Sequence, residues 1–404
     1  MLEILANPAQ WRAFLDVKIA GGHLSAEEEA DLTDFVERGE FAAVAERILS
    51  GAPMPLPRAR EISKKRTGKK RTVFTFPREE NYALKLLAWG LSRYDAAFSD
   101  NLYSFRPGTG VRNAMRRVMR VPGLNRQYVY KADIHDYFNS VDVDLLMTVL
   151  ARVLAGDAPL LAFIERLLRC PLALKNGAPT AMRKGIMAGT PISPFLANVY
   201  LMELDRAFAD RDVFYARYSD DILVLAPSAK SLEASVAEIH AFLADRGLQI
   251  NPDKESRAMP GEAWTFLGFS YRQGRMDVSR VSIEKLKGKM RRKARALLRW
   301  RQRKGKDGGK AARAFIRRLN RKLYDNPRRG ELTWARWYFP VINTDRSLRE
   351  LDCYAQDCIR YIVAGNHGKK RFNLRYATLK EWGYRPLVHE YYALRKANRT
   401  PSLT

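Results

Sequence analysis

The chain has 404 residues, 46% of them hydrophobic, and carries 71 Lys or Arg against 44 Asp or Glu, a formal net charge of +27. That length and apolar content suit two or three domains with real cores and exclude a disordered tail, while so large a positive charge points to a polyanionic partner, nucleic acid first. The three cysteines, Cys170, Cys353 and Cys358, have no C-x-x-C spacing and indicate neither a disulfide scaffold nor a zinc site, and no signal-like start or long apolar run stands out, so a reducing cytoplasm and no membrane span are expected.

Residues 1–55 alternate apolar and acidic positions in short helical periods, with Ser25 as cap and Gly51 as stop, which predicts a small helical cap that packs on protein. After Pro53, Pro55 and Pro57, two strand-like runs flank a Thr67-Gly68 turn beside Lys64, Lys65, Lys69, Lys70 and Arg71. This basic hairpin suits the grip of a triphosphate, although a basic edge strand kept soluble by its charge has the same pattern. A helix is predicted over 79–94, followed by a rigid basic turn at Arg106-Pro107-Gly108. From Tyr128 a β-rich run ends near Asp133 and passes into a short helix.

Residues 184–201 begin as a Gly- and Pro-containing loop, small enough for backbone to approach a ligand, and turn helical at Ser193-Pro194. Residues 212–227 are two apolar runs around Ser219-Asp220-Asp221, a tight hairpin with adjacent carboxylates at its tip. Like charges so close raise each other's pKa, and keeping both ionised asks for a cation; hard oxygen donors favour Mg²⁺. Taken alone, the pair also fits a polar turn with two solvated acids. A helix over 231–246 buries Leu232, Val236, Ile239 and Leu243, and a short strand then leads to Lys254 and a further strand at 264–271. Between 285 and 330, twenty Lys or Arg face only Asp307 and Asp325, which predicts two helices with a basic face, broken near 305–309 and suited to a nucleic-acid backbone. The aromatics of 332–395 read as core.

In order, the basic hairpin, the strand ending in Asp133, the Gly-Thr-Pro-Ile-Ser-Pro loop, the Tyr-Ser-Asp-Asp hairpin, the lysine after a helix and the Phe-Leu-Gly-Phe strand resemble a reverse transcriptase over 58–272. The resemblance implies an α+β right-hand polymerase fold. Its parts would be a helical N-terminal cap at 1–55, fingers at 56–127, an antiparallel-sheet palm at 128–275 with a fingers insertion at about 145–190, and an α-helical basic thumb with a helical C-terminal region at 276–404.

It also implies an RNA-directed DNA polymerase that adds dNTPs to a primer 3′-hydroxyl. Asp133 and Asp220 would hold two Mg²⁺ ions about 3.5 to 4 Å apart, with Mn²⁺ able to substitute; Asp221 would complete the acidic patch and Ile134 would lend a backbone oxygen. Phe138 resembles the aromatic gate against a ribose 2′-hydroxyl, and Lys254 the lysine that protonates the leaving pyrophosphate. Lys65, or Lys64 in its place, and Arg71 resemble the triphosphate clamp, with Gly189 at the nucleotide. Arg106, Ser193 and the primer-grip residues Phe266, Leu267 and Gly268 would meet template and primer. Two departures stand out: Ala188 where bacterial intron-type enzymes carry glutamine, and Ser219 where they tend to have alanine.

With no zinc or HNH-type motif, the layout resembles bacterial reverse transcriptases of phage defence, which implies a structured noncoding RNA template and an RNA/DNA duplex as partners. The other readings are a maturase-like, retron or diversity-generating enzyme, an RNA-binding chaperone with a vestigial site, and an RNA-dependent RNA polymerase. Tyr391 and Tyr392 are the candidates if a protein hydroxyl primes synthesis.

Overall fold

The computed structural model describes residues 1–22, 24–63, 70–182, 184–325 and 333–397, which form two compact units, Met1–Pro260 and Gly261–Thr404. The class is α+β, as the sequence leads one to expect.

In the first unit the cap is three helices, Pro8–Gly21, Ala26–Glu37 and Phe41–Leu49. Ser25 starts the second through a reciprocal capping box with Glu28, which satisfies two orphan N–H groups. Trp11, Phe14, Phe35 and Phe41 are buried together, and Phe35 meets Tyr82 of the helix Arg78–Gly90 at 5.1 Å. The cap's acids serve the same junction: Asp31 and Glu40 bind Arg78 at 2.9 and 2.7 Å. Its acidity is thus used on protein.

The strands of this unit are β1 (Arg58–Ser63), β2 (Lys70–Thr75), β3 (Tyr128–Asp133), β4 (Leu172–Lys175), β5 (Ala178–Ala181), β6 (Phe214–Tyr218), β7 (Asp221–Ala226) and β8 (Ser256–Ala258). One sheet has the order β2-β1-β4-β5, so residues 145–190 complete the sheet that the basic hairpin begins; β1 and β4 run parallel over only two pairs, Arg58↔Leu174 and Ala59↔Lys175. The other sheet has the order β6-β7-β3-β8 and is antiparallel throughout. Ile222 to Ala226 are all buried, as a central strand covered on both faces requires, and the helix Ala229–Asp245 lies against β3 and β7.

The second unit opens with β9 (Trp264–Phe266), β10 (Phe269–Arg272) and β11 (Arg275–Val278), an antiparallel sheet of its own. The strand expected to belong to the palm at 264–271 therefore lies outside the first unit's sheets. Two basic helices follow, Arg280–Arg303 and Gly308–Leu323, broken where the glycines predict, and the helix Arg346–Ala364 packs on both. Buried Asp352 accepts the Leu387 and Val388 N–H groups at 2.8 and 3.0 Å and so caps the helix Leu387–Ala397. Tyr391 is fully buried and donates to the Ile342 carbonyl at 2.9 Å, which removes it as a priming hydroxyl. Among the described residues no helix is long and apolar enough to cross a membrane.

Within β6 one charged side chain interrupts the apolar run. Arg217 is 0% exposed, donates through Nε to Asp205 Oδ1 at 2.7 Å and closes a second bond to Oδ2. Tyr215 also donates to Asp205, at 3.1 Å. Removing one partner of such a pair strands a buried charge, so Asp205→Ala should lower unfolding free energy by about 3–5 kcal/mol in urea titration.

Candidate active site

The hairpin between β6 and β7 places the acids. Tyr218↔Asp221 is the last strand pair, leaving Ser219 and Asp220 as the turn, with Ser219 at φ 60°. A non-glycine residue rarely adopts that conformation without support. Here the Ser219 N–H donates to Ser104 Oγ at 2.8 Å and its carbonyl accepts from Arg217 at 3.1 Å. Ser104 is itself tied to Asn198, whose amide nitrogen donates to the Ser104 carbonyl at 2.9 Å. Antiparallel register sets Asp133 opposite Asp221, which holds their Cα atoms within about 5.5 Å. The Ile134 N–H donates to the Asp220 carbonyl at 3.0 Å and fastens the turn to the end of β3. Three acids distant in sequence thus meet at one end of one sheet.

The cations around them come from three directions. Lys254 bonds the buried Asp133 carboxylate through Nζ, and its segment is held by the Asn251 N–H donating to the Asp133 carbonyl at 2.7 Å. Lys131 and Arg71 add positive charge beside Asp221 and Asp220. The Arg71 guanidinium lies 5.6 Å from the centroid of the Phe138 ring, a cation–π pair that joins β2 to the short helix Tyr137–Ser140.

The loop before Ser193 is packed between those same elements. Ile186 N–H donates to the Phe138 carbonyl at 2.9 Å, and a Cβ on Gly185 would fall 2.3 Å from that oxygen, so only glycine fits. Phe74 of β2 donates to the Ala188 carbonyl at 2.8 Å, and a Cβ on Gly189, at φ 102°, would come within 3.1 Å of the Phe74 carbonyl. The close approach made by this loop is therefore to chain, and Gly189 is required by β2.

Several expected contacts are occupied internally. Ser193 is fully buried and donates to the Met187 carbonyl at 2.8 Å, bracing the loop instead of facing a template. Arg106 binds Asp95 at 2.8 and 3.0 Å and the Ser99 carbonyl at 2.6 Å, which leaves its guanidinium committed to its own turn. Phe266 is core in the second unit, and only the turn at Leu267 and Gly268 is partly exposed. Lys64 and Lys65 lie outside the described residues. Sequence reasoning missed Arg217, Asp205, Ser104 and Asn198; the signal was an arginine inside an otherwise apolar strand.

A profile of the reverse transcriptase (RNA-dependent DNA polymerase) family matches residues 62–271, which include Asp133, Phe138, Asp220, Asp221 and Lys254. The chain belongs to the reverse transcriptase family. Protein YkfC of Escherichia coli (strain K12) is 24% identical over 269 residues, 57% of this chain and 70% of that protein. Retron Mx65 reverse transcriptase of Myxococcus xanthus is 25% identical over 208 residues, 49% of this chain and 47% of that one. Group II intron-encoded protein LtrA of Lactococcus lactis subsp. cremoris is 24% identical over 214 residues, 52% of this chain and 34% of that one.

In this reverse transcriptase the donor set suits a hard divalent cation by its chemistry, being carboxylate and backbone oxygen throughout. Among the described residues no three acidic, histidine or cysteine side chains stand as a finished metal cage, and Asp133 has the Lys254 ammonium as its cation. The strain of the arrangement shows in its acidities: burial, then the Asp133 charge, raises Asp220, and burial, then Asp220, pushes Asp221 up to about 6. An acid whose folded pKa is raised opposes folding once ionised, fully above that pH and not at all below its unfolded value near 4. Asp221→Asn should therefore stabilise the metal-free protein by about 1–3 kcal/mol at pH 7.5. In urea titrations with chelator present, the gain should shrink as pH falls through about 6 and vanish below about 4.

Proposed function

We propose that this reverse transcriptase extends a primer 3′-hydroxyl with dNTPs on a structured noncoding RNA, with two Mg²⁺ ions as cofactors. The observation that carries the reading is the meeting of Asp133 with Asp220 and Asp221 beside the Arg71–Phe138 pair. Asp133, Asp220 and the Ile134 carbonyl would hold the cations, with Asp221 completing the negative surface. Cations bound there supply a lowered pKa at the attacking hydroxyl and charge neutralisation at the leaving pyrophosphate.

The chain's own groups do the remainder. Arg71 offers a planar fork to phosphate oxygens while its face lies on Phe138, so the residue that grips the triphosphate also orients the ring set against a 2′-hydroxyl. Lys254 guards the Asp133 charge and, once released from it, is a proton donor for pyrophosphate. In this reading the β6-β7-β3-β8 sheet is the palm, the β2-β1-β4-β5 sheet the fingers, and the basic helices of the second unit the thumb. The biological setting we propose is defence against phage, with a retron-like or maturase-like role as the second reading. The net charge of +27 and the likeness to a retron enzyme support an RNA partner.

Asp220→Ala combined with Asp221→Ala should leave RNA binding intact and reduce primer extension by about a thousandfold or more, roughly 4 kcal/mol of transition-state stabilisation. Extension at the wild-type rate by that variant would favour an RNA chaperone with a vestigial site. Phe138→Ala should reduce the preference for dNTP over rNTP by about ten- to a hundredfold in single-nucleotide kcat/KM. A wild-type preference for rNTPs that this change leaves alone would favour an RNA polymerase.

A further inference from the structure

Between the two basic helices of the second unit lies a groove to which the thumb reading alone gives no occupant. On the helix Arg280–Arg303, Lys285, Lys289 and Lys293 recur every four residues and so share one face. Arg318 and Lys322 do the same on the helix Gly308–Leu323. Between the helices a cavity of about 250 Å³ has Leu286, Met290, Phe315 and Leu319 as its apolar floor and Lys289, Lys293, Arg318 and Lys322 around it. It shares Leu286, Lys289 and Lys322 with a second cavity of about 290 Å³, which Trp334, Trp337 and Tyr338 close at one end.

Among the described residues no acid lines either cavity. Lys287, one face away on the same helix, is bound to Glu350, whereas Lys285 and Lys322 have no carboxylate partner among the described residues. Burial and the nearby Arg318 also hold the Lys293 ammonium below its ordinary range, as uncompensated positive charge does.

The aromatic end is not ordinary core. Tyr338, Phe339 and Tyr391 are buried, but Trp334 and Trp337 are only half-buried. Trp334 leans on Tyr338 with ring centroids 4.6 Å apart, while Trp337 has no aromatic ring contact among the described residues. Neither indole N–H has a protein acceptor there. The cavity also borders the Leu267–Gly268 turn, since a Cβ on Gly268 would lie 3.1 Å from the Tyr338 hydroxyl and 3.2 Å from Ser282 Oγ.

We propose that this pocket takes one unpaired nucleotide of a nucleic-acid strand, its base against Trp337 and its phosphate between Lys285 and Lys322. Aromatic faces beside a basic track are how single strands are held without regard to sequence. The volume is near the lower end for small-molecule sites and admits one base, not a stacked run. Continuation of the basic row to Lys293 and Arg318 argues for a strand over a free nucleotide, which would leave those charges unused. A closed duplex offers no unstacked base to insert. The assignment rests on the polymerase reading only in supposing that a strand passes the Leu267–Gly268 turn.

The test uses the full chain and three photoreactive probes: a single-stranded DNA carrying 5-bromodeoxyuridine, an RNA of the same length carrying 5-bromouridine, and free 5-bromodeoxyuridine triphosphate. Cross-linked peptides are then mapped. The expected adduct is on Trp334, Trp337 or Tyr338 with a strand probe, and the more efficient strand tells DNA from RNA as the source. Trp337→Ala should weaken strand binding by about tenfold, with most of the affinity restored in Trp337→Phe. Lys285→Gln with Lys322→Gln should reduce the slope of log affinity against log salt by about 1.4, which reads the site even if the tryptophan variant folds poorly.

Strand adducts only elsewhere, together with an unchanged salt slope, would overturn the proposal, as would free triphosphate labelling Trp337 as well as either strand does. Asp220→Ala with Asp221→Ala should keep the adduct. An adduct at Trp337 in a wild-type protein that extends no primer would sink the polymerase reading and leave the pocket standing.

Discussion

Arg217 gives its donors to a carboxylate beneath the Ser219-Asp220 turn and to the turn itself, and that ion pair is the constraint on which the site depends. A hairpin tip with two adjacent acids facing a third would relieve its repulsion by opening. It is held shut because Arg217 grips the Ser219 carbonyl, Ser104 takes the Ser219 N–H, and Asn101 accepts from the Arg217 N–H at 2.9 Å. Asn101 also donates to the Asp205 carbonyl at 2.7 Å, so the segment before Arg106 is bound to both members of the pair. Burying an ion pair is expensive in itself. Its value here is geometric: it holds the carbonyl of Ser219, a residue at φ 60°, in the turn that brings Asp220 to the end of β3.

The same economy governs charge at the tip. Asp133 is buried and bonded to an ammonium, whereas Asp220 and Asp221 have only more distant cations, and burial with the neighbouring acids raises the pKa of both. A site balanced in this way is poised to accept positive charge, and its own cations come from several segments of the chain: Lys254 bonds Asp133 and also acts on Asp220 and Asp221, with Lys131 added at Asp221 and Arg71 at Asp220.

Much of this was legible before any coordinates. The order of motifs placed Asp133 with the Asp220-Asp221 hairpin because antiparallel pairing turns two apolar runs with acids at their ends into neighbours, and the register Asp133↔Asp221 does that. The caps at Ser25 and the helix break after Arg303 followed from local chemistry that tertiary structure does not override. What failed was the distinction between a polar residue that meets a ligand and one that braces the loop beside it. Ser193 and Arg106 sit in motifs next to the site, yet each is saturated by backbone carbonyls or a nearby acid, and sequence carries no mark of that. Gly189 was read as a point of close approach to a nucleotide, and the close approach the structure describes is to Phe74 and Val73 of β2. Trp334 and Trp337 were read as core because composition cannot separate a packed indole from one lining a groove.

The loop of residues 184–190 has one more implication. It is hydrogen-bonded at one end to the Phe138 carbonyl and at the other to Phe74 of β2, with glycines at 185 and 189 leaving no slack between the backbones. Arg71 lies on that same β2, three residues from Phe74. If β2 closes on a triphosphate as proposed, its displacement is passed through this spacer to the Phe138 ring. In that proposal grip and inspection become mechanically one event, and a lengthened or softened spacer would uncouple them.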